Sequence, residues 1–308
     1  MISRRMPKQD MTRATDLPRP SRPEQHLQSW EVPVSLPDGE FIAHILEPES
    51  TSLMQIMRQL RSGTYQKPFV LEDGEFRQLH FGLRYMQSRM RLASPDELSF
   101  AYTREMMAFL LFRPEPSHIL ILGMGGGSLS KFCYQQLPGT RITAVEIDRT
   151  VIELSHLFEM PEPDGRLQII HGDGAEFVKT ANAGADVILV DGCDKHGIAP
   201  AFREAAFYED ALARLKVDGV LAVNLVGSVT RVGKLKRLIN EVFDGASCVL
   251  PGVAENNQIL FAIRRGTWPP DANDSLDRAD ILRRRHGLPF IQYLRRLNIP
   301  AQDDTDRI

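Results

Sequence analysis

The sequence predicts an open, doubly wound α/β sheet of mostly parallel strands, preceded by a small β-rich module. Three observations predict it. Strand-like and helix-like segments alternate through the middle of the chain, as in "HILILG" then "GGSLSKFCYQQL", and "RITAVEID" then "RTVIELSHLF". The strands are continuous apolar runs such as "DVILV", the mark of strands covered on both faces. Four of them end in a glycine loop or an acid, and strand ends are where such sheets hold ligands.

Taken in order, residues 1–30 are polar and proline-bearing and read as a disordered tail. The arginine pair in "MISRRMPK" is not followed by the apolar run an export signal needs. Residues 31–92 carry short alternating runs, "EVPVSL", "GEFIAHIL", "PFVLED", "EFRQLHFG" and "RYMQSRM", punctuated by Gly39, Gly74 and Gly82. They predict a small, mostly antiparallel module with one helix around "STSLMQIMRQLRSG". "SPDELSFAYTREMMAFLLF" opens with Ser94-Pro95-Asp96-Glu97, a helix start, and continues at helical spacing. The alternation then adds "LQIIHGDG", "AEFVKTA", "DVILVDG", "FREAAFYEDALARL", "GVLAVNLVG" and "VTRVGKLKRLINEVF". "ASCVLPG" and "NQILFAIRR" close it as an antiparallel hairpin. That ending marks residues 93–265 as the Rossmann-like, class I methyltransferase variant of the fold. Residues 266–308 predict two tail helices, "LDRADILRRRHGL" and "FIQYLRRL", each with one apolar face.

Composition narrows the function classes. The 308 residues are 43% hydrophobic and 25% charged, with a net charge of −3. Such a chain has no basic footprint for nucleic acid, and no run is long enough to span a membrane. Cys133, Cys193 and Cys248 fit neither a disulfide framework nor a zinc site, so we expect no metal and a reducing cytoplasm.

The strand ends carry the chemistry. "LGMGGGSLSKF" places Gly123, Gly125, Gly126 and Gly127 between strand and helix, where glycine lets backbone approach a ligand. By itself such a loop is equally a tight turn. About 20 residues on, "VEID" carries Glu146, the position from which an acid accepts ribose hydroxyls. "HGDGAEF" sets Asp173 and Gly174 where a carboxylate and the next N–H can meet an adenine edge. "DVILVDGCDKHG" ends a buried strand on Asp191, with Asp194 following. Carboxylates there can hold a cationic amine and take its proton. With no phosphate-binding lysine motif, the set points to an adenosyl sulfonium donor.

In this order, "TYQKPFVLED", "YTREMM", "ILILGMGGGSLSKF", "VEID", "HGDGAEF" and "DVILVDGCD" resemble the spermidine synthase family of polyamine aminopropyltransferases. The resemblance implies aminopropyl transfer from decarboxylated S-adenosylmethionine to a small-molecule amine acceptor, in a homodimer. It places Gln66 at the donor, Glu146 on the ribose, Asp173 and Gly174 on the adenine, and Asp191 and Asp194 at the reacting amine. The sequence departs from the family at three places. Gly126 replaces the aspartate of "GGGDGG" that holds the donor's amine. The tyrosine of "YxEM" falls on Thr103, with Tyr102 beside it as the candidate. Lys195 replaces the proline after the second aspartate. Two other readings stay open on the same fold: a methyltransferase using intact S-adenosylmethionine, and a non-catalytic nucleoside-binding member.

Overall fold

The structure, a computed structural model, describes residues 27–37, 39–180, 184–194, 197–253, 257–264 and 272–297. Strands β1 (Leu27–Leu36) and β2 (Gly39–Pro48) pair antiparallel from Leu27↔Pro48 to Leu36↔Gly39. β1 therefore begins inside the stretch read as tail, because β2 is long enough to supply its hydrogen bonds back to Leu27. Helix α1 (Leu53–Ser62) buries Ile56 and Leu60, one turn apart on the same face, and stops at Gly63 with φ +68°. Strands β3 (Phe69–Glu72), β4 (Phe76–His80) and β5 (Met86–Arg91) complete a five-stranded antiparallel meander.

The helix expected from Ser94 starts only at Ala101: α2 is Ala101–Met106, running into a 3-10 turn at Met107–Leu111. The carbonyls that a helix through Ser94 would use are committed elsewhere. The buried Lys131 ammonium donates to Pro95 O at 2.6 Å, and Arg104 donates to Leu98 O and Ser99 O. Tertiary partners here outweigh a good local start.

The main domain then alternates as predicted. It runs β6 (His118–Leu122), α3 (Ser128–Gln136), β7 (Arg141–Glu146), α4 (Arg149–Leu154), β8 (Leu167–His171), α5 (Gly174–Thr180) and β9 (Ala185–Val190). A two-stranded hairpin, β10 (Cys193–Asp194) and β11 (Gly197–Ile198), was not foreseen. After it come α6 (Ala205–Arg214), β12 (Leu215–Leu225), α7 (Val229–Val242), β13 (Ser247–Pro251) and β14 (Gln258–Ile263). Helices α8 (Ala272–His286) and α9 (Phe290–Arg296) fold back on the domain, burying Ala279, Leu282, Phe290 and Tyr293.

The seven-stranded sheet has the order β13-β14-β12-β9-β6-β7-β8. β12, β9, β6, β7 and β8 run parallel, and β14 is inserted antiparallel between β12 and β13. Alternate residues supply the two faces. Ile119, Ile121, Val187 and Leu189 pack toward α3, α8 and α9, with Leu79 of β4 and Met90 of β5 in the same core. Leu120, Leu122, Ile188 and Val190 pack toward α5, α6 and α7. Each fully buried Leu, Ile or Val stabilises by roughly 1.5–3 kcal/mol, and the buried polar residues within these strands, such as Asp186 and Thr143, are paired by hydrogen bonds. From β8 at one edge the chain returns on the other side of β6 as β9. That reversal opens a crevice above the carboxyl ends of β6 and β9.

Candidate active site

A cavity of about 600 Å³ occupies this crevice. The ends of β6, β7, β8, β9 and β12 form its base, and β5 and α2 supply Gln87, Ser88, Phe100 and Tyr102 to its wall.

The glycine loop is built for close approach. A Cβ on Gly123, at φ +91°, would lie 2.5 Å from Asp191 O, so glycine alone lets the ends of β6 and β9 come together. Gly123, Met124 and Gly125 line the cavity, but Gly126 and Gly127 do not, which corrects their expected contact with a donor. The Gly126 N–H donates to Ser88 Oγ at 2.9 Å, and a Cβ there would lie 2.9 Å from Ser88 Cβ and 3.0 Å from the Phe158 ring. A Cβ on Gly127 would meet Met160 Sδ at 2.0 Å. These two glycines serve packing behind the loop.

Glu146 ends β7 and is buried. Its Oε2 accepts from Met124 N at 2.9 Å and Gly125 N at 3.2 Å, and its Oε1 from Asp148 N at 3.0 Å. The carboxylate is thus held by the loop it faces. Beside it, Ile147 is 66% exposed yet lines the cavity, an apolar surface that a flat ring would cover. Asp173 Oδ1 accepts from Ala175 N at 2.8 Å and Glu176 N at 3.2 Å, capping α5. Asp173 and Gly174 both line the cavity.

Asp191 stands at the centre. Its Oδ1 accepts from Asn224 Nδ2 at 2.7 Å and its Oδ2 from Tyr102 OH at 3.2 Å. Burial pushes its carboxyl up to about 7, and the Glu146 charge adds to the rise, while the hydrogen bonds from Asn224 and Tyr102 pull against it. Tyr102 supplies the phenol that Thr103 lacks: Thr103 is buried and donates to Phe100 O at 2.8 Å.

Gln66 does not line the cavity, and the side chain of Asp194 is not among the described residues. Gln66 is exposed and its Nε2 donates to Thr64 O at 3.4 Å. Its neighbours Tyr65 and Phe69 bury themselves edge to face in the N-terminal core and turn it outward. The Asp194 side chain, with Lys195 and His196, lies outside the described residues, although the Asp194 backbone pairs with Gly197 in β10–β11.

Sequence reasoning missed Gln87, Ser88, Asn224 and Asn257, which line or back the cavity. Asn224 was findable, as a polar residue ending the apolar run "GVLAVNLVG" in register with the other strand ends. Gln87 and Ser88 carry no motif, because packing of the meander against the main domain sets which of them faces the crevice. No group of three His, Cys, Asp or Glu among the described residues could hold a metal ion.

With this geometry in view, comparison with known proteins gives a family. The spermine/spermidine synthase domain matches residues 99–230. A polyamine aminopropyltransferase from Neisseria meningitidis is 35% identical over 240 residues, covering 77% of this chain and 91% of the relative. A probable spermidine synthase from Corynebacterium glutamicum superposes with TM-score 0.59 at 20% identity, over 71% of this chain and 85% of that one. Human methyltransferase-like protein 13, solved with SAH, superposes with TM-score 0.53 at 25% identity, over 68% and 98%.

Proposed function

The chain belongs to the spermine/spermidine synthase family, and we propose that it transfers an aminopropyl group from decarboxylated S-adenosylmethionine to a small polyamine-type amine. The observation that carries this reading is Asp191, held by Tyr102 and Asn224 in the cavity that Glu146 and Asp173 also line, with burial pushing its carboxyl up to about 7. In this reading Glu146 accepts the ribose hydroxyls, Ile147 lies under the adenine, and Asp173 with the Gly174 N–H reads the ring edge. Glu146, Asp148, Asp173 and Asp191 line one cavity, and their charge favours a sulfonium cation.

The acceptor nitrogen attacks the propyl carbon bonded to sulfur. The carbon–sulfur bond breaks, its electron pair stays on sulfur, and a neutral thioether leaves. The nitrogen sheds one proton, which Asp191 takes. Tyr102 and Asn224 donate to Asp191 and fix which lone pairs face the amine. A homodimer and a cytoplasmic location belong to the same reading, and sedimentation of the purified chain tests the first.

One observation favours a second reading. Ser88 and Phe158 fill the space where a side chain at Gly126 would stand, so the carboxylate the family uses for the donor's amine has no place here. Two carboxylates close together repel, and a site without that acid suits the methionine carboxylate of intact S-adenosylmethionine and methyl transfer to an amine. Calorimetry separates the two. We expect decarboxylated S-adenosylmethionine to bind at least ~10-fold more tightly than the intact form, a gap of about 1.4 kcal/mol. Tight binding of the intact form alone would replace aminopropyl transfer by methyl transfer.

A further inference from the structure

We propose that Asn257 is a positioning residue for the transfer reaction: it fixes the side-chain amide of Asn224 so that Asn224 supports the ionised form of Asp191. The inference rests on the reading of Asp191 as the proton acceptor.

Three side chains form a line across three adjacent strands. Asp191 follows β9, Asn224 lies near the end of β12, and Asn257 directly precedes β14. Asn257 Nδ2 donates to Asn224 Oδ1 at 2.9 Å, and Asn224 Nδ2 donates to Asp191 Oδ1 at 2.7 Å. Asn224 is 2% exposed, so water is a poor substitute for either partner.

An asparagine amide has a donor end and an acceptor end of nearly the same shape, and its neighbours decide which way it points. Asn224 has two useful orientations. With Nδ2 toward Asp191 it stabilises the carboxylate. With Oδ1 toward Asp191 it stabilises the protonated acid, which then donates. With its NH2 toward Asn224, Asn257 favours the first, because that donor pairs with the Asn224 oxygen. Reversing Asn224 alone would set two NH2 groups against each other and cost the hydrogen bond to the half-buried Asn257, about 0.5–1.5 kcal/mol. Asn257 thereby favours the form of Asp191 that can receive a proton, without touching the reacting atoms.

The other groups facing Asp191 act alongside it. Tyr102 from α2 donates to the second oxygen, and Glu146 from β7 raises the carboxyl by its charge. Asp148, Asp173 and Cys193 line the same cavity.

The test is the pH dependence of kcat/KM in three variants of the full chain. Asn257→Ala removes the constraint, and the acid limb should move up by about half a unit. Asn257→Asp keeps the shape but turns a donor into an acceptor. It should draw the Asn224 NH2 toward itself and move the limb up further, by about one unit. Asn257→Gln retains the donor and should keep the wild-type limb. A structural role alone would lower activity at every pH in step with melting temperature. Wild-type limbs in both the Ala and Asp variants, with an inactive Asp191→Asn control, would overturn the role of Asn257 and leave Asp191 standing. An active Asp191→Asn would overturn both.

Discussion

Two aspartates stand at the two ends of one strand, and the fold treats them in opposite ways. Asp186 lies near the start of β9 and is 1% exposed. Burial alone would raise its carboxyl, but hydrogen bonds from Lys216, Ser117, Arg113 and the His118 N–H outweigh it and hold the carboxyl well below the usual range. Asp191, just past the other end, is also desolvated, yet its partners Tyr102 and Asn224 are neutral and its charged neighbour Glu146 is an acid. It rises to about 7. The lesson concerns partners more than burial. Surrounded by cations and N–H groups, a buried carboxylate is a permanent charge that fastens Arg113 and Lys216 to the bottom of the sheet. Given only neutral donors and an open cavity, it becomes an exchangeable proton site.

The contrast is broken most severely by Asp191→Asn. Turnover should fall by about 10³-fold, the scale of a lost general base, while calorimetric donor affinity stays within about threefold. Retained turnover would reduce Asp191 to a turn residue. At the opposite end, Asp186→Ala leaves Arg113 and Lys216 without their counter-charge. Those two side chains are 32% and 42% exposed and can turn to water, so the cost is mainly that of the buried His118 N–H left without an acceptor, about 1–3 kcal/mol, read as a drop in melting temperature of a few degrees. An unchanged melting temperature would show that Asp186 fastens nothing.

Smaller changes sharpen the same comparison. Tyr102→Phe removes one donor to the ionised form of Asp191. The acid limb of kcat/KM, expected near pH 7 in the wild type, should move upward, with kcat reduced about tenfold. A downward move would mean that Tyr102 acts on the amine and not on Asp191.

The last effect is on stability against pH, and its sign differs at the two ends. The Asp191 carboxyl is raised in the folded state, so its contribution is full below the unfolded value of about 3.9 and is lost as pH rises through about 7. Asp191→Asn should therefore melt a few degrees above wild type at pH 8 and lose that advantage near pH 4. The Asp186 carboxyl is depressed, so its contribution is present above about pH 3.9 and fades on acidification below it. Equal pH profiles for the two variants would refute the distinction drawn between them.

Much of this was legible in the chain, for identifiable reasons. Continuous apolar runs reported the buried parallel strands, and the residues closing them reported the crevice: Gly123, Glu146, Asp173 and Asp191 all line one cavity. Failures came where a distant partner decided the outcome. Ser94 starts no helix because the Lys131 ammonium takes the Pro95 carbonyl. Gln66 turns away because its neighbours Tyr65 and Phe69 fill a core. Gly126 reads as part of a ligand loop, but Ser88, far along the chain, holds it from behind.

The alternation of strands and helices, the faces they bury and the acids at the strand ends follow from the order of residues along the chain. Those are written in local periodicity, and burial enforces them at each position. What each acid does depends on the neighbours the fold brings to it. Asp186 and Asp191 share one strand and one chemistry, and their proton affinities diverge because side chains remote in sequence converge on one as cations and on the other as neutral donors. Such convergence depends on how the strands are ordered in space, and no local pattern in the chain encodes it.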